Sequence, residues 1–338
     1  MNAVAGRYDV VIVGAGLSGL MAGRRLAHTG LHVNIIEREP VAGGRLATWH
    51  SGSDRADTGA QFFTVRTAEI GAIVEQWLAA GWVFEWSRGW SNDSLLGDRL
   101  DGYPRYIADG GFATLAGRIS RGLPIRFATE LRVVTAYSDG WCVMTANGER
   151  FCARSLILTL PVPQSLGILN AGGIEMPDAT REALASIQYG ACLCGIFAVD
   201  GDLELPEPGA LQRPGRPIAW VADNRRKGLA LTERILTVHA DPIASAIWWA
   251  ATDEDVMAWM AAELESLSPR DARFRPVAIK RWPYAIPLSV YPARYLAVQT
   301  AVPLILAGDA FDGPRVEGAA LSGMAAADAL LEVLSARS

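Results

Sequence analysis

The stretch "YDVVIVGAGLSG", Tyr8 to Gly19, constrains this chain more than any other part of it. "YDVVIV" is a β-branched apolar run bounded by polar residues, which predicts a buried strand of a parallel sheet. Glycines follow at once at Gly14, Gly16 and Gly19. The first permits the tight turn, the second a close backbone approach to a pyrophosphate, and the third close packing of the next helix on the strand. Leu17 and Ser18 open that helix, whose free N–H groups point at phosphate. Gly30 fits the residue just past its C-terminus. "LHVNIIE" then reads as a second strand ending at Glu37, with Arg38 beyond it. An acidic residue about 20 positions past such a loop is where a ribose hydroxyl is held. Strand, loop, helix, strand and terminal acid together predict a dinucleotide site; the loop alone leaves NAD and FAD open.

The following residues favour the longer cofactor. "EREPVAGGRLAT" places Gly43, Gly44 and Arg45 just after the second strand, and "DTGAQFFT" at Asp57 to Thr64 is a small-residue turn leading into two aromatics. FAD has more phosphate and ribityl to hold than a glycine loop alone supplies. Near the far end of the chain, "LILAGDA" reads as a short strand ending at Gly308 and Asp309, and "RVEGAALSG" as a glycine-rich helix start through Val316, Gly318 and Ala319. The positive end of a helix stabilises the negative charge of a reduced flavin near N1 and C2=O. Small residues there let backbone approach the ring.

Bulk properties narrow the class. The chain has 338 residues, enough for two domains, and a formal net charge of -5, which argues against a nucleic-acid partner. No uninterrupted apolar run reaches the length of a membrane span. The N-terminus enters a strand without a signal-type segment, so a cytoplasmic protein is expected. Cys142, Cys152, Cys192 and Cys194 form no CxxC pair and read as buried small hydrophobes. No metal site is expected. The eleven tryptophans either pack cores or line a pocket for a flat ligand. No internal repeat or low-complexity tract is present.

The ordered set of motifs resembles the flavin amine oxidase superfamily, and within it the renalase family, closest to the bacterial renalases. "GGR" and "GAQFF" come first. "AWVADNRRKG" (Ala219 to Gly228), "ILTVHAD" (Ile235 to Asp241) and "KRWPYAIP" (Lys280 to Pro287) follow, and then "GPRVEGAALSG". The resemblance implies an α/β fold with an α+β second domain. A Rossmann-type FAD-binding domain would form from discontinuous chain, 1–70, 105–162 and 298–338. A mixed-sheet substrate domain would use 71–104 and 163–297, in the architecture of p-hydroxybenzoate hydroxylase and the amine oxidases. In the middle, a helix is expected after "DGG", and a β-meander with "SDG" and "ANGE" turns. One helix, "DEDVMAWMAAELESL", is expected in the second domain.

The resemblance also implies non-covalent FAD, held by Gly14, Gly16, Leu17, Ser18, Gly19, Glu37, Arg38, Gly44, Arg45, Gln61, Leu131, Gly308, Asp309, Val316, Gly318 and Ala319. Leu131 would lend backbone contacts to the adenine. The implied activity is oxidation of isomeric 2- or 6-dihydroNAD(P) to NAD(P)+ by hydride transfer to flavin N5, with O2 reduced to H2O2. Pocket candidates are Gln61, Phe62, Asn224, His239, Trp282 and Tyr284. Arg225, Arg226 and Lys227 are expected to be solvated. A dihydropyridine becomes aromatic on losing hydride and needs no general base, whereas an amine must first be neutral. Two other classes stay open: an amine oxidase or desaturase-like flavoenzyme on another small molecule, and a non-catalytic flavin-binding protein. The sequence leaves the oligomeric state open.

Overall fold

The β-branched run behind the first glycine loop becomes a central strand. In the computed structural model, which describes residues 4–92, 99–201, 203, 205–266 and 272–336, β1 (Val4–Val13) runs into α1 (Leu17–Leu26) and returns as β2 (Val33–Ile36). A hairpin of β3 (Thr48–Ser51) and β4 (Asp54–Asp57) follows, then α2 (Ala68–Ala79). Next come β5 (Val83–Asn92), β6 (Arg99–Ala108), α3 (Phe112–Ser120) and the short β7 (Ile125–Arg126). The meander is β8 (Leu131–Tyr137), β9 (Gly140–Thr145) and β10 (Arg150–Leu158). Helices α4 (Val162–Ala171) and α5 (Asp178–Ala185) precede β11 (Tyr189–Asp200), β12 (Ala210–Gln212), β13 (Ile218–Asp223) and β14 (Ile235–Ala240). Then α6 (Pro242–Ile247), α7 (Asp253–Glu265) and β15 (Arg273–Pro287) lead to β16 (Leu296–Val298), β17 (Leu304–Leu306) and α8 (Val316–Ser335).

Two compact units result. The first comprises Met1–Gly44, Ala116–Gln188 and Pro287–Ser338; the second comprises Arg45–Leu115 and Tyr189–Ile286. Its cuts fall elsewhere than the functional boundaries read from the sequence near 70, 104, 162 and 297. Helix α4 packs against β8, so the chain stays with the first unit well past Pro163. Four helices, α2, α4, α5 and α6, carried no sequence expectation. All four are short, and α4 and α5 follow directly on the cap residues Pro161 and Pro177, which sequence reading treats as breakers although proline is well placed near a helix start.

The first unit is built on an eight-stranded sheet ordered β16-β17-β10-β1-β2-β7, with β9 and β8 continuing from β10. β1 is parallel to both β2 and β10, and β10 is parallel to β17. Val10, Val11 and Ile12 are fully buried there, as a strand covered on both faces requires. Gly30 adopts a left-handed φ of +76°, but α1 ends at Leu26 with Ala27 as its cap. Gly30 therefore serves the turn into β2, not the helix end.

Among the described residues α8 alone is long and apolar enough to cross a membrane, with mean hydropathy 1.3 and 56% of that window buried in the fold. It packs against α1 and β17. A Cβ on Gly323 would lie 2.0 Å from the Ser18 carbonyl oxygen, so glycine at 323 is what lets α8 approach α1 this closely.

The second unit carries a seven-stranded sheet ordered β15-β11-β14-β13-β12-β5-β6 and the β3–β4 hairpin. Leu193, Phe197, Leu236 and Val238 of that sheet pack with Val256, Met257 and Met260 of α7. The expected helix at 253–267 is present as α7, its final expected residue lying outside the described residues.

Two of the four cysteines depart from the expectation. Cys142 and Cys152 face each other in the β9–β10 register and form a disulfide. A spacing of ten residues across an unremarkable hairpin gave no CxxC-type signal. Cys192 and Cys194 are free and buried, and burial pushes the Cys192 thiol up to about 12.

Candidate functional site

In the first unit the glycine loop is arranged as an open cradle. Gly14 has φ +100° and donates its N–H to the Ile36 carbonyl at 2.8 Å. A Cβ on Gly19 would lie 1.9 Å from the Gly14 oxygen, whereas one on Gly16 would meet nothing within 4 Å. Gly19 is thus required by the protein's own packing, and Gly16 borders open space. Helix α1 begins after Gly16 with no side chain capping its first-turn donors. The second glycine pair closes on this loop: Gly43 donates to the Ala15 carbonyl at 2.9 Å, and Gly44 sits with φ +56° beside Gly16. Leu17 and Ser18 are buried, and the Ser18 hydroxyl has no partner.

Glu37 is fixed by the same loop. Its Oε2 accepts from Ala15 N at 2.7 Å and its Oε1 from Glu39 N at 2.9 Å. The Glu37 carbonyl accepts from Thr129 N at 2.8 Å, which brings the chain leading into Leu131 alongside. Leu131 itself is buried at the start of β8. Arg38 is exposed and pairs with Glu39 at 3.1 Å.

At the other end of the chain, Gly308 has φ +139°, and its N–H is held by the Ser322 hydroxyl at 2.8 Å. Asp309 follows, half-buried. Helix α8 starts after Arg315 without a side-chain cap, with Val316 and Ala319 half-buried and Gly318 buried. A Cβ on Gly318 would lie 2.3 Å from the Gly313 oxygen. The glycine at 318 thus has a reason in the protein itself, apart from any approach to a ring.

The second unit holds a buried polar network that gathers most of the pocket candidates. Asp57 and Lys227 are both fully buried and pair at 2.9 Å. Asp57 Oδ1 also accepts from the Thr48 hydroxyl at 2.7 Å and from Phe112 N, the first residue of α3, at 2.9 Å. The Asp57 carbonyl accepts from Gln61 Nε2 at 2.6 Å and from the Thr237 hydroxyl at 3.0 Å. The next carbonyl, on Thr58, accepts from His239 Nε2 at 3.1 Å and Trp282 Nε1 at 2.9 Å. Asn224 Nδ2 donates to the Thr237 hydroxyl at 2.9 Å and to the Ile235 carbonyl at 3.2 Å. Asn224 Oδ1 has no partner although the residue is fully buried.

Gln61 is held at both ends. Its Nε2 donates to the Asp57 and Gly59 carbonyls, and its Oε1 accepts from Trp220 Nε1 at 3.3 Å. Phe62 stands edge-on to Trp90 with centroids 4.3 Å apart and 5.6 Å from Trp220. Trp86 completes this cluster, and the Arg105 guanidinium lies 4.2 Å over Trp90. Some tryptophans therefore pack around a candidate residue, while others, such as the stacked Trp248 and Trp259, serve the core. Tyr284 stands outside the network: its ring meets Tyr189 edge-on, and its carbonyl accepts from Arg45 Nη1 at 3.1 Å.

His239 is the network's one imidazole. Burial first, and then the positive charge of Lys227, push it down to about 4, against the opposing effect of its bond to the Thr58 carbonyl. A carbonyl only accepts, so Nε2 carries the proton and Nδ1 is left as an acceptor.

Lys227 corrects an expectation. Arg225 and Arg226 are exposed, as expected, but Lys227 is fully buried in its ion pair. Its sequence neighbours carry the same charge, so composition hid it. Asp57, Thr58, Thr237 and Trp220 were likewise not singled out as site residues; only the small-residue run starting at Asp57 hinted at a special turn.

Comparison with known proteins fits this geometry. Residues 12–77 match the model of an NAD(P)-binding Rossmann-like domain, and residues 69–331 match that of flavin containing amine oxidoreductases. The chain belongs to the flavin-containing amine oxidoreductase family. A phytoene dehydrogenase of Streptomyces griseus is 47% identical over 66 residues, 19% of this chain and 13% of that protein. All-trans-retinol 13,14-reductase of Homo sapiens is 25% identical over 215 residues, 59% of this chain and 34% of the relative. The matched segments thus span well under half of these relatives. The structure of wild-type putrescine oxidase bound to putrescine superposes with a TM-score of 0.71 at 16% identity, covering 97% of this chain and 99% of that one. At that identity the likeness establishes the fold.

The family is one of flavin-containing oxidoreductases, and FAD is the cofactor that goes with it. The residues present fit that group: open space over Gly16, uncapped donors at the starts of α1 and α8, and an oriented carboxylate at Glu37. Two cysteines are joined in the disulfide and the other two are buried in β11, in accord with non-covalent attachment.

Proposed function

We propose that the protein is a renalase-like oxidase that converts 2- or 6-dihydroNAD(P) to NAD(P)+ while O2 becomes H2O2. When bound, FAD supplies a two-electron acceptor for a hydride and passes the electron pair to oxygen. The substrate gives up one hydride; oxygen takes two electrons and two protons, one of them from solvent. In this reading Gly14, Gly16, Leu17, Ser18, Gly19 and Gly44 hold the pyrophosphate, and Glu37 holds the adenosine ribose, with Arg38 and Leu131 beside it. Gly308, Asp309, Val316, Gly318 and Ala319 serve the ribityl and ring end. Phe62, Asn224, His239, Trp282 and Tyr284 shape the substrate pocket, with Gln61 orienting its wall.

The observation that carries this choice of substrate is the state of His239, tied to the Thr58 carbonyl and pushed down to about 4. An alkylammonium must lose a proton before it can give up hydride, and a base matched to that task titrates near the working pH. An imidazole at about 4 is a poor base at neutral pH. The carboxylates of β4 and β13 are committed: Asp57 to Lys227, Asp223 to Arg234 at 2.8 Å, and Asp54 to the backbone of Leu231 and Thr232. A dihydropyridine asks for no proton removal, and a neutral imidazole with a free acceptor suits it.

A second reading, a desaturase or amine oxidase acting on another small molecule, is favoured by the likeness to phytoene dehydrogenase and retinol reductase. Anaerobic mixing of the FAD-loaded protein with 2-dihydroNAD, 6-dihydroNAD, putrescine and phytoene separates the two. Fast bleaching of the flavin by a dihydroNAD isomer alone is the expected result. Bleaching by the amine or the polyene instead would establish the second reading.

A further inference from the structure

We propose that the Asp57–Lys227 ion pair is the positioning device of the candidate pocket. It holds the two successive carbonyls of Asp57 and Thr58 on which the pocket side chains hang. This rests on the reading above that Gln61, Asn224, His239 and Trp282 form that pocket.

The geometry is specific. Four donors converge on the two carbonyls: Gln61 Nε2 and the Thr237 hydroxyl on the first, His239 Nε2 and Trp282 Nε1 on the second. Asn224 joins through Thr237. These side chains come from β13–β14, β15 and the turn after β4, and the strand end at Asp57 is their shared anchor. That anchor is clamped from the other side by Thr48, by the first N–H of α3 and by Lys227. A fully buried ion pair is a weak source of stability, since apolar replacements of similar volume are often neutral or better. Its value here is geometric: Lys227 fixes the carboxylate, the carboxylate fixes residue 57, and the carbonyls of 57 and 58 fix four side chains.

The pair also acts through charge. The groups facing His239 can be named from each element packed on it. On β4 lies the paired Asp57, with Thr58 just past its end, and on β11 lies Cys194, directly across in register. On β13 stands Trp220, with Asp223 paired to Arg234 further along. Lys227 is the cation whose charge bears on the ring. Its ammonium disfavours a second positive charge nearby, so His239 is kept as an acceptor where substrate would bind. Lys227 and Asp57 touch neither substrate nor cofactor in this scheme; they position groups that do.

The test uses the FAD-loaded protein and the double variant Asp57→Asn/Lys227→Met. Lys227→Met alone strands a buried carboxylate and is expected to lose about 3–5 kcal/mol of stability, which would confound both readouts. In the double variant the amide oxygen at 57 still accepts from Thr48 and Phe112 N, and the methionine fills the lysine stem's volume. The first readout is the NMR titration of the His239 imidazole, which needs no substrate. In wild type it should titrate near 4, and in the double variant it should move up by the part of the depression that Lys227 causes, while burial holds the rest. The second readout is the acid limb of flavin bleaching by whichever donor bleaches it, which should move up with the imidazole.

An unmoved His239 titration and an unmoved acid limb would overturn the proposal. So would a double variant that fails to fold, because a neutral pair of like shape that cannot replace the ions assigns them to folding. Absence of bleaching by dihydroNAD isomers would sink the substrate reading while leaving the imidazole shift as the measure of the ion pair.

Discussion

The two units treat their polar groups in opposite ways. In the first, the groups that matter are backbone N–H donors left open: the starts of α1 and α8 have no side-chain caps, and the space beyond Gly16 is empty of protein. In the second, polar side chains are spent on one another, around Asp57, Lys227, Gln61, Thr237 and His239. Open backbone donors suit a large, constant, anionic cofactor that brings its own acceptors. A closed side-chain network suits a pocket whose shape must be settled before a small substrate arrives. The contrast predicts that damage to the second unit shows first in folding and pocket geometry. Damage to the first shows first in cofactor retention.

The largest effect expected is in the second unit. Lys227→Met leaves Asp57 buried without its counter-ion, and removing one partner of such a pair costs about 3–5 kcal/mol. Chemical unfolding of the FAD-free protein should show that loss. A change below about 1 kcal/mol would mean that water reaches Asp57, and the network would not be closed.

Next comes a pair of glycines three residues apart in the first unit. Gly19→Ala drives a methyl to 1.9 Å from the Gly14 oxygen, and forced overpacking costs about 1–3 kcal/mol. Both stability and FAD binding should fall. Gly16→Ala puts its methyl into open space, so the apoprotein should unfold within about 0.5 kcal/mol of wild type while FAD binds more weakly. Equal loss of stability in both variants would refute the open cradle.

Glu37→Ala is a subtler cut in the same unit. A charge-assisted hydrogen bond is worth about 1.5–3 kcal/mol, so FAD affinity should fall about ten- to a hundredfold, with a nearly normal flavin spectrum. Because Glu37 also holds Ala15 N and Glu39 N, part of that loss belongs to a loosened loop. Glu37→Gln, which keeps one acceptor, should fall between the two. Unchanged affinity in the alanine variant would remove Glu37 from the site.

Legibility followed the same division. The first unit's candidate site is made of backbone, and such a site writes itself as glycines at fixed spacing: Gly14, Gly16, Gly19, Gly43 and Gly308 were all readable as candidates. Even so, Gly318 and Gly19 turn out to answer to Gly313 and Gly14 inside the protein. Spacing shows that glycine is needed, not what stands opposite. The second unit's network joins residues as far apart as Asp57 and Lys227, separated by 170 positions. Nothing local marks such a pair; Lys227 sits beside two exposed arginines and looks like them. His239 and Trp282 were singled out only because the family resemblance pointed to their segments, and their shared carbonyl was invisible until the chain was folded. The Cys142–Cys152 disulfide was hidden for a similar reason, since register across β9 and β10 decides it.

The smallest effect expected tests the second unit through pH alone. His239 titrates near 4 in the folded protein against an ordinary 6.5. A depressed value means that between these limits the unfolded chain binds a proton that the folded chain refuses. Stability must therefore rise with pH across that window and level off above it. Read downward, the contribution of the neutral imidazole is complete above about 6.5 and is lost as pH falls toward 4. His239 keeps some accessible surface, which limits the size of the effect but not its sign. Asp54 loses stability in the same direction but lower in pH. The Thr232 hydroxyl, then the backbone N–H groups around it, hold its carboxyl below the usual range. Thermal unfolding of wild type and His239→Gln between about pH 2.5 and 7 separates the two. The glutamine variant should lose the slope between about 4 and 6.5 and keep the fall below it. If both proteins show the same slope, His239 is protonated in the folded state at mildly acidic pH, and the closed network is open to solvent at its imidazole.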